Sequence, residues 1–153
     1  MNSLTVKYSL RMACASHSPD LAEALLELCC VVEAVRAAAS RELGLTPQQA
    51  QLLTLVAPQE LTHGELANRM HCDKANITGL VDRLERRELI QRRPNPDDRR
   101  VSQVILTGQG RELVTRFRRA VSTAITGHLA SWPAADHQQL ATLARATTEA
   151  LRV

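Results

Sequence analysis

The sequence predicts a mainly α fold that carries a two-stranded β wing between long flanking helices. Three observations predict it. Apolar residues recur at three- and four-residue spacing through most of the chain. Capping signals divide that pattern into separate helices. It is broken once, by RRPNPDDRR, Arg92 to Arg100, a run that no core could bury and no helix could carry through Pro94 and Pro96. On either side lie ELIQRR and VSQVILT, two short runs able to pair as a hairpin.

The elements follow in order. Residues 1–17 lack a period and read as a loosely held arm. Ser18-Pro19-Asp20 supplies an N-cap with proline at the first helical position. Leu21, Leu25, Leu28, Val32 and Val35 then recur at helical spacing up to Leu43, and Gly44 stops the helix. A second start is TPQQ, where Thr46 and Gln49 stand at capping-box spacing around Pro47, in a helix ending near Pro58. Thr62 and Glu65 of THGE repeat the signal, and that helix runs to about Met70. A fourth helix opens at Asp73, carries Ile77, Leu80, Val81 and Leu84 on one face, and ends near Arg87. In the hairpin, Val101, Gln103 and Ile105 alternate with Ser102, Val104 and Leu106. Thr107-Gly108 ends it, and two helices finish the chain, the second after Trp132-Pro133.

Three short helices followed by a hairpin form the winged helix-turn-helix plan, here over residues 45–106. Residues 18–44 and 107–153 then form a helical dimerisation region. The terminal helices hold more apolar surface than they could bury alone, and such surface usually marks an interface. The expected contacts are Leu21, Leu25, Val114, Phe117, Val121, Ile125, Leu140, Leu143 and Leu151.

Composition narrows the function classes. At 153 residues, 44% apolar and 23% charged, the chain suits a soluble globular protein with a real core. A net charge of +3 is compatible with nucleic acid without requiring it. Nearly all the positive charge is arginine, Lys7 and Lys74 being the only lysines. Four cysteines, Cys14, Cys29, Cys30 and Cys72, show no C-x-x-C spacing, and a reducing cytoplasm is the simplest compartment. The N-terminus has no apolar core of a signal peptide, and no run approaches the roughly 18 apolar residues of a membrane span. No nucleophile elbow, zinc-protease, Walker or dinucleotide fingerprint occurs, so no enzyme and no cofactor are expected. His63, His71, His128 and His137 form no metal-ligand spacing with the cysteines.

With Ile77, Leu80, Val81 and Leu84 inward, a helical step turns Ala75, Gly79, Asp82 and Arg86 outward, flanked by Asn76, Thr78 and Arg83. A helix entering a major groove needs short side chains for close approach and a few donors and acceptors for base edges. Asn76 can bond adenine, Thr78 can meet a phosphate or a thymine methyl, and the helix start with Lys74 favours a phosphate. A merely solvated face explains the helix alone but not the arginine-tipped hairpin that follows it.

The segment LANRMHCDKANITGLVDRLERRELIQRRPNPDDRRVSQVILTGQG, Leu66 to Gly110, resembles the DNA-binding core of the MarR family of multiple antibiotic resistance regulators. The markers are VDRLE at 81–85, the D-x-R of Asp98 and Arg100, and VILTGQG at 104–110. The resemblance implies a homodimeric regulator of double-stranded DNA, a repressor on a pseudo-palindromic operator released by a small-molecule effector held in an apolar crevice. It places the helix at 73–87 in the major groove and brings the wing to the adjacent minor groove through Arg100, with Arg99 serving the same contacts. It implies that Asp82 pairs with Arg100 to orient it, and that Asp97 and Asp98 brace the wing arginines. Gly79 departs from several relatives, which carry a larger, base-contacting residue there. Two alternatives remain open: a redox-sensing regulator of the same fold using Cys29, Cys30 or Cys72, with apolar packing the commoner fate of such cysteines, and a winged-helix protein-interaction module.

Overall fold

The computed structural model describes residues 20–95, 98 and 100–152. Its elements are α1 (Leu21–Glu42), α2 (Pro47–Val56), β1 (Leu61–Thr62), α3 (His63–Met70), α4 (Lys74–Arg86), β2 (Ile90–Pro94), β3 (Ser102–Leu106), α5 (Gly108–His128) and α6 (Ala134–Ala150). The arm at 1–17, the Ser18 cap and Pro19 lie outside the described residues, as do Pro96, Asp97 and Arg99. No described helix is long and apolar enough to cross a membrane.

Local chemistry sets the helix starts. The side chain of Asp20 accepts from the Ala22 N–H and caps α1. Both capping boxes form: Thr46 with Gln49 opens α2, and Thr62 with Glu65 opens α3. The Thr62 N–H and hydroxyl hold the Glu65 carboxyl below the usual carboxylate range. Gly44, at φ 67°, ends α1 where a side chain would be strained. The α3–α4 turn relies on a residue without that freedom, His71 at φ 51°, held by its own N–H to Asn68 O and by the Cys72 N–H to Ala67 O.

The hairpin pairs as expected, with Ile90 opposite Leu106, Arg92 opposite Val104 and Pro94 opposite Ser102. The structure adds a third strand. β1 pairs antiparallel with β3, Leu61 opposite Val104, giving the order β1-β3-β2. Two residues are too short for alternation to show in a sequence, so nothing there marked β1. Leu61 and Val104 are both fully buried, and they tie the wing's inner strand to the helical body.

One core runs through the described residues. Leu52 and Leu53 of α2, Leu66 of α3, Ile77, Val81 and Leu84 of α4, and Ile90 of β2 lose essentially all solvent contact. Each such side chain contributes about 1.5–3 kcal/mol relative to exposure. Val114 and Phe117 of α5 belong to this core as well, 4% and 5% exposed. That corrects their expected place on a dimer surface: the first half of α5 is consumed in packing against the body of its own protomer. The other expected contacts differ. Leu21, Leu140, Leu143 and Leu151 are exposed, Leu25, Val121 and Ile125 are half-buried, and α6 buries no residue.

The wing's root sets the direction of α5. The Thr107 hydroxyl donates to Glu88 O at 2.6 Å, and the Thr107 N–H donates to Leu89 O at 3.2 Å. Gly110 lies so close that a Cβ there would stand 1.9 Å from Leu89 O. Gly110→Ala is therefore expected to destabilise the fold by about 1–3 kcal/mol or more, because backbone must move. Gly127→Ala, in α5 with nothing within 4 Å of the added carbon, should instead stabilise by about 0.5–1 kcal/mol. Denaturant midpoints of the two variants check both signs.

Candidate nucleic-acid interface

The candidate face is built on α4. Asp73 caps it, accepting the Asn76 N–H at 2.7 Å. Ile77, Leu80, Val81 and Leu84 anchor its inner side. That anchoring leaves Lys74, Ala75, Asn76, Thr78, Arg83 and Arg86 exposed along the outer side, with Gly79 and Asp82 half-buried among them. Several of these groups are partly committed. The Asn76 amide donates to Asp73 Oδ2 at 2.9 Å, which fixes its plane and leaves Oδ1 and one N–H outward. Thr78 donates its hydroxyl proton to Lys74 O, so outward it offers a methyl and an acceptor. Arg86 Nε donates to Asp82 O. A Cβ on Gly79 would lie 3.6 Å from Arg83 Nη1, so Arg83 reaches across the bare glycine.

The wing continues this face. Asn95 N–H donates to Val101 O at 2.8 Å and closes the hairpin. Asp98 accepts the Arg100 backbone N–H at 3.0 Å. It thus braces Arg100 through the main chain rather than the guanidinium, and leaves Arg100 exposed at the tip. Arg99 lies outside the described residues.

The expected pairing of Asp82 with Arg100 is not the one formed. Asp82 is engaged by Arg92 Nη2, while Arg92 Nη1 donates to Glu85 Oε2 at 2.6 Å. Geometry explains the exchange. Arg92 shares a strand face with buried Ile90 and pairs with buried Val104, so it points back at α4, where Asp82 and Glu85 stand three residues apart. That alternation was the signal in the sequence for Arg92 and Glu85, both missing from the expected site. The Arg92 hydrogen bond holds the Asp82 carboxyl below its usual range.

In the single protomer Cys29 and Cys30 are exposed on α1, and Cys72 is half-buried. Between α1 and α2 lies a cavity of about 200 Å³, walled by Glu33, Arg36, Ser40, Gln48 and Gln51 beside Phe117. Ala37, Pro47 and Ala50 complete its wall, which is mixed polar and apolar.

A helix with small and polar outer residues, flanked by an arginine-tipped hairpin, is the winged helix-turn-helix plan of DNA-binding proteins. Comparisons narrow this. The model of the MarR family matches residues 45–102. The uncharacterized HTH-type transcriptional regulator YdgJ of Bacillus subtilis (strain 168) is 28% identical over 127 residues, 82% of this chain and 77% of that protein. The HTH-type transcriptional repressor MdtR of the same strain is 40% identical over 68 residues, 44% of each chain. Among solved structures, CouR from Rhodococcus jostii RHA1 bound to p-coumaroyl-CoA matches at TM-score 0.66 and 26% identity, over 89% of this chain and 96% of that one. Residues 45–102 match the MarR family, and the comparisons together support a winged-helix DNA-binding transcriptional regulator of that kind.

His63, at the start of α3, faces the same junction. Burial, then repulsion from Arg92, lowers its pKa, against attraction from Asp82 and Glu85. The unfolded imidazole therefore binds its proton more readily than the folded one. His63 leaves stability intact above the ordinary imidazole range, and stability is lost as pH falls from that range toward the lowered folded value. His63→Gln should lose less stability than the parent between about pH 7 and about pH 5, read from urea midpoints at the two values.

Proposed function

We propose that this chain acts as a homodimeric repressor that reads a pseudo-palindromic operator and releases it when a small molecule binds. The observation that carries the DNA-reading half is the continuous outer face of α4 and the wing. In this reading residues 45–106 read DNA. Asn76, Thr78, Gly79 and Ala75 approach the major groove, and Lys74, Arg83 and Arg86 meet flanking phosphates. Arg100 enters the minor groove, with Arg99 on phosphate. The repressor sign follows the named activity of MdtR. Effector release follows the ligand-bound state of CouR, with the cavity between α1 and α2 as the site in this chain. A soluble regulator of this kind acts in the cytoplasm, where the DNA is.

DNA selected from a random pool by the purified protein tests this reading directly. Expected is an enriched two-fold-related site whose affinity falls steeply with salt. Arg100→Ala removes a contact from each half-site, and at ~1–3 kcal/mol per contact should weaken operator binding by about one to four orders of magnitude. Failure to enrich any site, with salt-insensitive binding to random duplex, would overturn the proposal.

The dimer is supported by unpartnered apolar surface at both ends of the chain. Leu21 is 72% exposed, Leu143 58% and Leu151 68%, on helices that the protomer leaves uncovered. Closed two-fold dimers are the commonest way to cover such faces. Sedimentation should show a dimer at micromolar concentration. A stable, fully helical monomer there refutes the assignment of residues 18–44 and 107–153 to dimerisation.

A further inference from the structure

Past Ile90, β2 leaves the core: Gln91, Arg92, Arg93 and Pro94 are all exposed, while Val104 opposite Arg92 stays buried against Leu61 of β1. β1 covers β3 only as far as Gln103, so pairing alone leaves the outer strand β2 and the tip beyond it without a packed face of their own to fix their angle. Among the described residues, three ion pairs from two adjacent arginines, on opposite faces of β2, add a tie between this strand and the body. Arg92 turns to α4, where its guanidinium reaches both Asp82 and Glu85 and its backbone N–H donates to Glu85 Oε1 at 3.3 Å. Arg93 turns the other way and donates to Glu60, just before β1, at 2.6 Å. Neither arginine points to the wing tip.

We propose that Arg92 and Arg93 are positioning residues that hold the wing at a fixed angle to α4 from two opposed sides, so that both can meet one DNA surface together. Arg92 is the principal tie, because its planar fork joins two carboxylates on the very helix whose relation to the wing matters. The same pairing offsets negative charge that Asp82 and Glu85 would otherwise present beside phosphates. This rests on the DNA-reading proposal above and adds to it a requirement on geometry. Exposed ion pairs contribute little to folding stability, so the inference separates two quantities that a purely structural role would move together.

The test measures the intact protein on its selected operator and on random duplex of equal length, over a range of salt. The informative variants are Glu85→Gln and Glu60→Gln. Each removes a negative charge, which by Coulomb attraction alone should strengthen binding to a polyanion. Expected instead is weaker operator binding by about ten- to a hundredfold, since the specific contacts remain but are no longer held in place, with random duplex bound as tightly as before or tighter. Arg92→Ala should show the same operator loss, and Arg92→Lys a smaller one, since an ammonium cannot span both carboxylates. Thermal midpoints should stay close to the parent's. If Arg92 were itself a phosphate contact, Arg92→Ala would weaken both DNAs alike and lower the salt slope by about one per site, while Glu85→Gln would not hurt. That result, or operator affinity unchanged in Glu85→Gln and Arg92→Ala, overturns the inference. A parent protein that selects no operator overturns the DNA-reading proposal instead.

Discussion

The junction at Leu89 is the constraint on which the rest of the structure depends. Its carbonyl accepts from the Thr107 N–H, and Gly110 approaches it more closely than any side chain would permit. At that point the chain leaves α4, enters the wing, returns along β3 and starts α5. A helix that departs from a fixed carbonyl has a fixed direction. The position of α4 relative to the far end of α5 is therefore decided within a few ångströms of one peptide group. Phe117 and Val114 extend the same joint into the core, so the beginning of α5 is as rigid as the body it leaves.

Beyond that anchored start, order is lent by what remains to be covered. The inner half of α1 is buried at Ala39 and Ser40, while its outer half presents Leu21, Leu26, Leu28 and Val31 to solvent. α6 is held by contacts such as His137 Nε2 to Leu129 O, 2.8 Å apart, with no buried residue of its own. One protomer thus combines a finished core with unfinished ends. In a regulator, such a division lets two reading heads keep their internal geometry while their separation is set elsewhere.

Much of this was legible in the sequence. Thr46-x-x-Gln49 and Thr62-x-x-Glu65 announced two helices by chemistry local to four residues, and the Ile77–Leu84 stripe gave α4 its inner face. Local signals fail where meaning depends on pairing across the fold. β1 is too short to carry a pattern. Val114 and Phe117 look like any apolar stripe, and only the packed body shows that they face inward rather than toward a second chain. Asp82 lies near more than one arginine in the folded molecule, and the choice of Arg92 follows from strand alternation combined with the angle between β2 and α4. The role of Glu85 was hidden for the same reason, since a glutamate beside a helix's apolar stripe has no visible partner until the hairpin folds back on it.

The strand order has a last consequence, for how copies of this protein meet by accident. With the order β1-β3-β2, the hairpin's first strand is an open edge, and open edges invite pairing with any extended chain and hence aggregation. Here that edge reads Arg92, Arg93, Pro94: two charged side chains already held by carboxylates of the same molecule, and a proline that lacks the N–H to extend the ladder. The outermost and least packed strand of the molecule is also its least adhesive. A protein that must search long DNA at crowded concentration keeps its most exposed β-structure from zipping onto its neighbours.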